Sequence, residues 1–198
     1  KNVVLGTALV DMYAKCGALK KARKVLDDLT VRDVVTWSSL IAGYAQQGEG
    51  EKTLKCFKEM EQEGITPNTI TFRSLLQACS HSGLVDEGQM LFTIMSKIYG
   101  VIPDLEHHAC LVDLFGRAGH FDRVMAIIAK IPSSDYPPLW GAVLGMCQKW
   151  GNVKLGRLAF EQSVQFNEMN DAAYACMNNI YVAAGMLDDA KGIETIRR

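Results

Sequence analysis

The chain has 198 residues, of which 48% are hydrophobic and 22% are charged, and its formal net charge is −1 at pH 7. This length and composition are those of a globular protein with one domain or a short repeat array. The near-zero charge argues against a general polyanion binder, and no apolar run approaches the roughly 20 residues of a membrane span.

The start of the chain favours a fragment of a longer protein. The first residue is not methionine, and the first segment, KNVVLGTALVDMY, already has the apolar pattern of a helix. A targeting peptide in the preceding part of the protein is compatible with this start.

The cysteines show no sign of a metal centre or of a disulfide framework. None of them forms a CxxC pair, and their spacing fits no zinc site: Cys16, Cys56, Cys79, Cys110, Cys147 and Cys176. Several occupy apolar helical positions. We therefore expect reduced core thiols and an intracellular compartment.

The apolar pattern predicts short amphipathic helices in pairs, with a glycine between the two helices of each pair. These glycines recur at spacings of 31, 35, 36, 32 and 34 residues: Gly17, Gly48, Gly83, Gly119, Gly151 and Gly185. Each follows an apolar stripe, where a left-handed glycine ends a helix. The intervals divide the chain into six units, which are 1–33, 34–68, 69–104, 105–136, 137–170 and 171–198, the last of them cut short.

The same apolar positions recur in every unit. In unit 34–68 the first helix has four of them on one face: Trp37, Leu40, Ile41 and Tyr44. In unit 105–136 the corresponding set begins at His108. The second helices share a position with mostly small residues: Ala22, Thr53, Gly88, Val124, Gly156 and Ala190. Because no helix pair can bury its stripe alone, we predict an all-α, right-handed α-solenoid of six helix-turn-helix hairpins.

These units resemble the pentatricopeptide repeat family, in particular the plant PLS subclass, whose repeats vary in length. Residues 34–68, VVTWSSLIAGYAQQGEGEKTLKCFKEMEQEGITPN, resemble the 35-residue repeat. The segment ALVDMYAKCGALKKARKVLDDL resembles the short repeat, and LLQACSHSGLVDEGQMLF resembles the long one. The segments HHACLVDLFGRAGHFDRV and LWGAVLGMCQKWGNVKLG are similar to the last short repeat and the following E-type extension motif of organellar RNA-editing factors. Residues 171–198 are similar to a second extension motif.

The resemblance implies binding of single-stranded RNA, with about one base read per repeat. In the family the fifth and last residues of a repeat read the base. Carried over, Thr7 with Asp33 implies guanine, and Ser38 with Asn68 implies adenine. The second residue of a repeat packs between bases, which implies a base-wedging role for Val4, Val35 and Ile70.

Beyond the second repeat the implied code weakens. Arg73 with Asp104 is no standard pair, although Arg73 is able to contact a phosphate. Ala109 with Tyr136 offers little hydrogen bonding, and we expect no base at the extension repeats.

The family resemblance also implies partners and a location. We expect organellar RNA in a plant mitochondrion, or alternatively a chloroplast, where the full protein specifies sites of C-to-U editing. The implied protein partners are multiple organellar RNA editing factor proteins and a cytidine-deaminase domain. That domain acts in trans or follows this fragment, since the chain lacks the H-x-E and P-C-x-x-C elements of a deaminase. We expect no enzyme activity, no cofactor, no metal and no membrane contact.

Several residues have a simpler structural interpretation. Thr7, Asp33, Ser38 and Asn68 are all residue types that favour helix caps and turns. The cluster of His107, His108 and Cys110 is not expected to bind zinc, and His108 and Cys110 are instead expected to pack or cap the first helix of the fourth repeat. The aromatic residues Trp37, Trp140 and Tyr44 are expected in the core. A basic run is either a backbone-binding patch or a solvated helix face: Lys15, Lys20, Lys21, Arg23 and Lys24.

A second function remains open at this point. A near-neutral solenoid is also suited to holding a peptide or helix in its groove, as tetratricopeptide-like scaffolds do. An enzyme is the least favoured class, because no set of polar residues converges on a catalytic site. Salt-dependent binding of short RNAs separates the two leading interpretations.

Overall fold

The computed structural model describes residues 3–131, 137–167 and 170–197, and all regular secondary structure in these ranges is α-helical. The helices are α1 Val3–Lys15, α2 Leu19–Asp27, α3 Val34–Gln46, α4 Gly50–Gln62, α5 Thr69–Ser82, α6 Val85–Lys97, α7 Leu105–Arg117, α8 Phe121–Ile128, α9 Pro137–Trp150, α10 Val153–Phe166, α11 Asp171–Ala183 and α12 Leu187–Arg197. The predicted all-α class, with twelve helices arranged as hairpins, is confirmed for the described residues.

The predicted turn glycines lie between the two helices of each hairpin. All six have positive φ angles, between 68° at Gly151 and 78° at Gly119. At Gly83, which follows α5, φ is 69° and ψ is 22°, and the next N–H, that of Leu84, donates to Cys79 O over 2.9 Å. This left-handed turn closes the first helix and starts the second within three residues.

Residues 1–114 form one compact unit, in which neighbouring hairpins pack through their first helices. Helix α3 packs against both α1 and α5, and α2 and α4 pack against the following first helix. The predicted stripe is buried, since Trp37, Leu40 and Ile41 are at most 1% exposed. Trp37 Nε1 also donates to Glu63 Oε2 over 2.9 Å, which satisfies its only polar group.

Residues 115–198 form the second compact unit. Helix α9 packs against α10, and both contact α11. Trp140 is 3% exposed, and Val143 and Met177 are fully buried. The core prediction is therefore confirmed for Trp37 and Trp140. It is wrong for Tyr44, which is only half-buried because it lies in the last turn of α3, beside a groove that Lys21 and Lys52 also line.

The small residues of the second helices allow close packing, as predicted. Thr53 and Val124 are fully buried, and Ala190 is 5% exposed. A Cβ atom at Gly88 would lie 2.4 Å from Leu114 Cδ2, and one at Gly156 would lie 3.0 Å from Ile180 Cδ1. A larger side chain at either glycine would push the next hairpin away.

The cysteines are all free, and their environments differ. Burial raises the pKa of both Cys79 and Cys147 to about 12, so these thiols stay neutral at physiological pH. Cys16, by contrast, is exposed. The expectation of core thiols is thus confirmed for Cys56, Cys79 and Cys147 and wrong for Cys16, which lies between the end of α1 and Gly17, whereas Cys110 and Cys176 are half-buried.

A glycine within α3 sets how closely α1 and α3 approach, and it gives a test of this packing. A Cβ atom at Gly43 would lie 2.8 Å from Ala14 Cβ and 3.2 Å from Ala14 Cα, so no side-chain rotation relieves the overlap. We expect Gly43→Ala to lower the free energy of unfolding by about 1–3 kcal/mol, even though alanine is the better helix former. Chemical denaturation measures this change.

The matched control is Gly145→Ala in α9, where an added Cβ meets nothing within 4 Å. In that exposed position alanine should raise the free energy of unfolding by roughly 0.5–1 kcal/mol. A stabilising effect of both substitutions would contradict the close approach of α1 and α3.

Candidate nucleic-acid interface

The last residue of each of the first three predicted repeats caps the following helix. Asp33 and Asn68 have extended backbones, with φ of −126° and −118°. Asp33 Oδ1 accepts a hydrogen bond of 2.8 Å from Thr36 N, and Asn68 Oδ1 accepts one of 3.0 Å from Thr71 N. Asp104 Oδ1 accepts one of 3.1 Å from His107 N. The capping interpretation is therefore confirmed for Asp33 and Asn68 and wrong for Thr7 and Ser38, which lie within α1 and α3.

The fifth residues contact the same threonines that these caps bind. Thr7 Oγ1 lies 2.9 Å from Thr36 Oγ1, and Thr36 Oγ1 donates to Asp33 Oδ1 over 2.6 Å. Thr36 is fully buried, whereas Thr7 is half-buried and Asp33 is exposed. The structure thus brings the predicted guanine-reading pair together through one buried hydroxyl group.

The second predicted pair is connected in the same way. Ser38 Oγ lies 2.7 Å from Thr71 Oγ1, and Thr71 Oγ1 donates to Asn68 Oδ1 over 3.0 Å. Thr71 is fully buried and Ser38 is only 5% exposed. Asn68 is half-buried, so it presents more of this pair's surface to a ligand than Ser38 does.

The third pair is not brought together. Arg73 forms an ion pair with Glu106, and both side chains are close to half exposed. Asp104 instead pairs with His107, whose Nδ1 lies 2.5 Å from Asp104 Oδ1 and whose Nε2 lies 3.1 Å from Thr69 O. An exposed ion pair is worth at most about 1 kcal/mol, so Arg73 remains able to exchange Glu106 for a phosphate group.

The three predicted wedge residues form a series of exposed aliphatic side chains. Val4 is 78% exposed, Val35 is 54% exposed and Ile70 is 51% exposed, although each lies in the first turn of a helix with a buried face. The corresponding residue of the fourth predicted repeat is the charged Glu106. The aliphatic series therefore ends after α5.

The carboxylates at this surface are acceptors at neutral pH. Hydrogen bonds from the Thr36 hydroxyl and backbone N–H hold the pKa of Asp33 below its usual value. Burial alone would raise the pKa of Asp104, but hydrogen bonds from His107 outweigh burial and hold this pKa below its usual value as well. Both side chains therefore carry a negative charge and accept hydrogen bonds.

The basic run is partly neutralised by acidic neighbours. Lys15 Nζ lies 2.7 Å from Asp11 Oδ2. Arg23 pairs with Asp27 at 2.9 Å and with Glu59 at 2.5 Å. Lys20, Lys21 and Lys24 are exposed. The run therefore consists of two residues held in ion pairs and three exposed lysines, and its role in binding an RNA backbone stays a prediction.

The histidine and cysteine cluster is not arranged as a metal site. Within the described ranges no three His, Cys, Asp or Glu side chains are grouped to hold a metal ion. His108 Nδ1 lies 2.8 Å from Asp104 O, and its ring packs edge-on against Phe92 with centroids 5.2 Å apart. The prediction that His108 occupies the inner stripe is wrong, because the fully buried residue is His107.

Two further expectations concern the reading pair of the fourth repeat and membrane contact. Ala109 is half-buried, and its proposed partner Tyr136 lies outside the described residues. None of the helices in the described part of the chain is both long and apolar enough to cross a bilayer.

Sequence reasoning missed Thr36, Thr71 and His107, the third residue of their units. A signal for them was present, because each stands three positions after Asp or Asn, the spacing of a capping box. In α5 the full capping box is formed, since Asn68 N also donates to Thr71 Oγ1 over 3.2 Å.

Comparison with known proteins gives matches along the whole chain. The profile described as "PPR repeat family" matches residues 32–81, and the one described as "PPR repeat" matches residues 7–34 and 70–98. A pentatricopeptide repeat-containing protein of Arabidopsis thaliana is 40% identical over 192 residues, which are 97% of this chain and 38% of that protein. Two more pentatricopeptide repeat-containing proteins from the same plant are also 40% identical. The match to the chloroplastic protein CRR2 covers 96% of this chain and 29% of CRR2, and the match to a mitochondrial protein covers 100% of this chain and 30% of that protein. The chain therefore spans well under half the length of these relatives.

Solved structures give the same fold. The chain is similar to the pentatricopeptide repeat protein PPR10 from maize, with a TM-score of 0.74, 19% identity, and coverage of 96% of this chain and 28% of that one. It is also similar to PPR10 in complex with an 18-nt psaJ RNA element, with a TM-score of 0.66, 21% identity, and coverage of 98% and 27%.

The caps give a stability test that is independent of any ligand. We expect Asn68→Ala to lower the free energy of unfolding by about 1 kcal/mol, because it leaves the N–H of Thr71 without its side-chain acceptor. Asn68→Asp keeps a capping oxygen and should change stability little. Equal loss in both variants, measured by denaturation, would contradict the capping geometry.

Proposed function

Because this chain belongs to the pentatricopeptide repeat family, we propose that it binds single-stranded RNA in a sequence-dependent way through its first three hairpins. The observation that carries this proposal is the pairing of Thr7 with Asp33 and of Ser38 with Asn68 beside exposed aliphatic side chains. The similar protein PPR10 has been solved with an RNA element bound.

The two pairs read a 5′-GA-3′ step in this proposal. Thr7 and Asp33 specify guanine, and Ser38 and Asn68 specify adenine. Val4, Val35 and Ile70 wedge between successive bases, which accounts for aliphatic side chains that are more than half exposed. Arg73 and Asp104 contribute weakly, with Arg73 directed to the backbone, because they are held by separate partners.

We assign the six units to repeat types as the sequence indicates. Residues 1–33 and 105–136 are short repeats, 34–68 is a 35-residue repeat and 69–104 is a long repeat. Residues 137–170 and 171–198 are E-type extension repeats of the PLS subclass. This assignment makes the chain the C-terminal part of a repeat tract and places its base-reading units before the extension repeats.

The larger role that we propose is that of a non-catalytic specificity factor in organellar C-to-U RNA editing. The extension repeats recruit a cytidine deaminase, supplied in trans or by the following part of the protein, and multiple organellar RNA editing factor proteins bind the long-type repeats. A plant mitochondrion is the proposed location, with the chloroplast as the alternative. Relatives with both locations support an organelle.

The test is a swap of base preference. We expect Asn68→Asp to shift the preferred step from GA towards GG, because a carboxylate accepts from guanine N1–H, where the amide would donate to adenine N1. The expected change in the ratio of the two dissociation constants is about tenfold or more, by analogy with duplex readout. Fluorescence anisotropy at low salt, with RNAs that differ only at the second base, measures it.

The matched control is Asn170→Asp, which makes the same change at the cap of α11, where Asn170 Oδ1 accepts from Ala173 N over 3.2 Å. It should leave the preference unchanged. If Asn68→Asp binds both RNAs like the original chain, Asn68 only caps α5 and the assignment of this pair to base reading fails. If no salt-dependent RNA binding occurs at all, the protein-scaffold interpretation replaces this one.

A further inference from the structure

Two buried threonines have no place in the proposed readout, yet each contacts both members of a reading pair. Thr36 and Thr71 are fully buried, so neither can touch a base. We propose that they are positioning residues that fix which hydrogen-bonding groups the reading residues present to RNA. This inference rests on the proposed RNA function and deepens it.

In the first pair the direction of each hydroxyl follows from the carboxylate. Asp33 is ionised and can only accept, so the Thr36 hydroxyl donates its one proton to Asp33 Oδ1 at 2.6 Å. The contact of 2.9 Å between Thr7 Oγ1 and Thr36 Oγ1 then has Thr7 as its donor. Thr7 has used its proton and presents only lone pairs. The first pair therefore offers two acceptors.

In the second pair the amide orientation is fixed as well. Asn68 Oδ1 accepts from both the N–H and the hydroxyl of Thr71, each over 3.0 Å. A flipped amide would direct its NH₂ group at the Thr71 N–H, so this orientation is unique. The Asn68 Nδ2 hydrogens are consequently left to point away from the cap.

The Thr71 hydroxyl completes this arrangement. It donates to Asn68 Oδ1 and accepts from Asn68 N over 3.2 Å, and its second lone pair receives the proton of Ser38, 2.7 Å away. All the hydrogen-bonding capacity of the hydroxyl is used. Ser38 therefore presents an acceptor, as Thr7 does in the first pair. The last residues differ, because Asn68 presents a donor and Asp33 presents an acceptor.

These polarities match the purine edges. An acceptor at the fifth residue faces an exocyclic amine, which uracil lacks. Because this amine lies on the C6 side of N1 in adenine and on the C2 side in guanine, the two purines enter their pairs in different positions. The last residue faces the ring nitrogen N1, which accepts in adenine and donates in guanine. A donor from Asn68 therefore favours adenine and rejects guanine, and an acceptor from Asp33 does the reverse. Without the threonine hydroxyl, the Ser38 hydroxyl is free to turn, whereas the Thr71 N–H still holds the Asn68 amide.

The third unit is a natural contrast within the same chain. His107 takes the place of the threonine and holds Asp104, while Arg73 pairs with Glu106. No shared hydroxyl connects the fifth and last residues there, and no standard base is expected from them.

The experiment compares Thr71→Val with Thr71→Ser in the full 198-residue chain. Valine keeps the volume and removes the hydroxyl, whereas serine restores it. We measure the dissociation constants of RNAs carrying GA, GG and GU steps. Thr71→Val should reduce the preference for the GA step over the GU step by about tenfold, because the Ser38 hydroxyl is then free to present its proton, and Thr71→Ser should retain that preference. The matched control is Thr53→Val, which removes a fully buried hydroxyl whose partner is only Glu49 O at 2.9 Å.

A purely structural role of Thr71 gives a different expected result. In that case Thr71→Val and Thr53→Val both weaken binding to all three RNAs equally, and the ratios stay unchanged. Unchanged ratios in Thr71→Val overturn the inference while leaving the proposed function intact.

A second readout needs no RNA. In Thr36→Val, the pKa of Asp33, followed by NMR of its carboxyl carbon, should rise towards the ordinary aspartate value, because the donated proton is lost. If the pKa of Asp33 rises in Thr36→Val but the original chain shows no base preference, the contact exists and the proposed function fails. An unchanged pKa means that Thr36 does not hold Asp33, and the inference fails.

Discussion

The hydrogen bond between a helix and the side chain just before it determines where each reading unit of this protein starts. Asp33, Asn68 and Asp104 each bind the N–H three residues ahead, and α3, α5 and α7 begin at the next residue. The cap fixes the start of the helix, and the start fixes the direction of its first-turn side chains. Burial of the stripe at Trp37 and burial of Thr36 both follow from that register.

Capping and base reading use different atoms of the same side chain, which is why one residue can do both. The oxygen of the Asn68 amide accepts hydrogen bonds from Thr71, which leaves its NH₂ group available to a base. In a carboxylate, one oxygen accepts from the capped helix and the second oxygen is available to a base. Residue types that suit helix caps are therefore also suited to base discrimination, and evidence for a cap is not evidence against a reading role.

Periodicity predicted the hairpins well because the turn glycines and the buried stripes are local features. Gly83 needs a left-handed backbone wherever its neighbours lie, and Leu40 and Ile41 follow a helical period. Tyr44 and His108 were misassigned because the edge of a helix face is set by the adjoining hairpin, which period alone does not describe. Thr36 and Thr71 carry the local spacing of a capping box, which marks their contacts with Asp33 and Asn68. Their other partners, Thr7 and Ser38, are 29 and 33 residues away, and no local pattern connects those pairs.

Side-chain caps also allow the connections between repeats to differ in length. The connection between α4 and α5 covers residues 63–68, and the one between α6 and α7 covers residues 98–104, one residue more. Each first helix nevertheless starts immediately after its own cap, so the extra residue does not shift any later side chain. A small insertion or deletion in such a connection is absorbed where it occurs. Arrays of this kind can therefore mix units of unequal length during evolution without losing the phase of the units that follow.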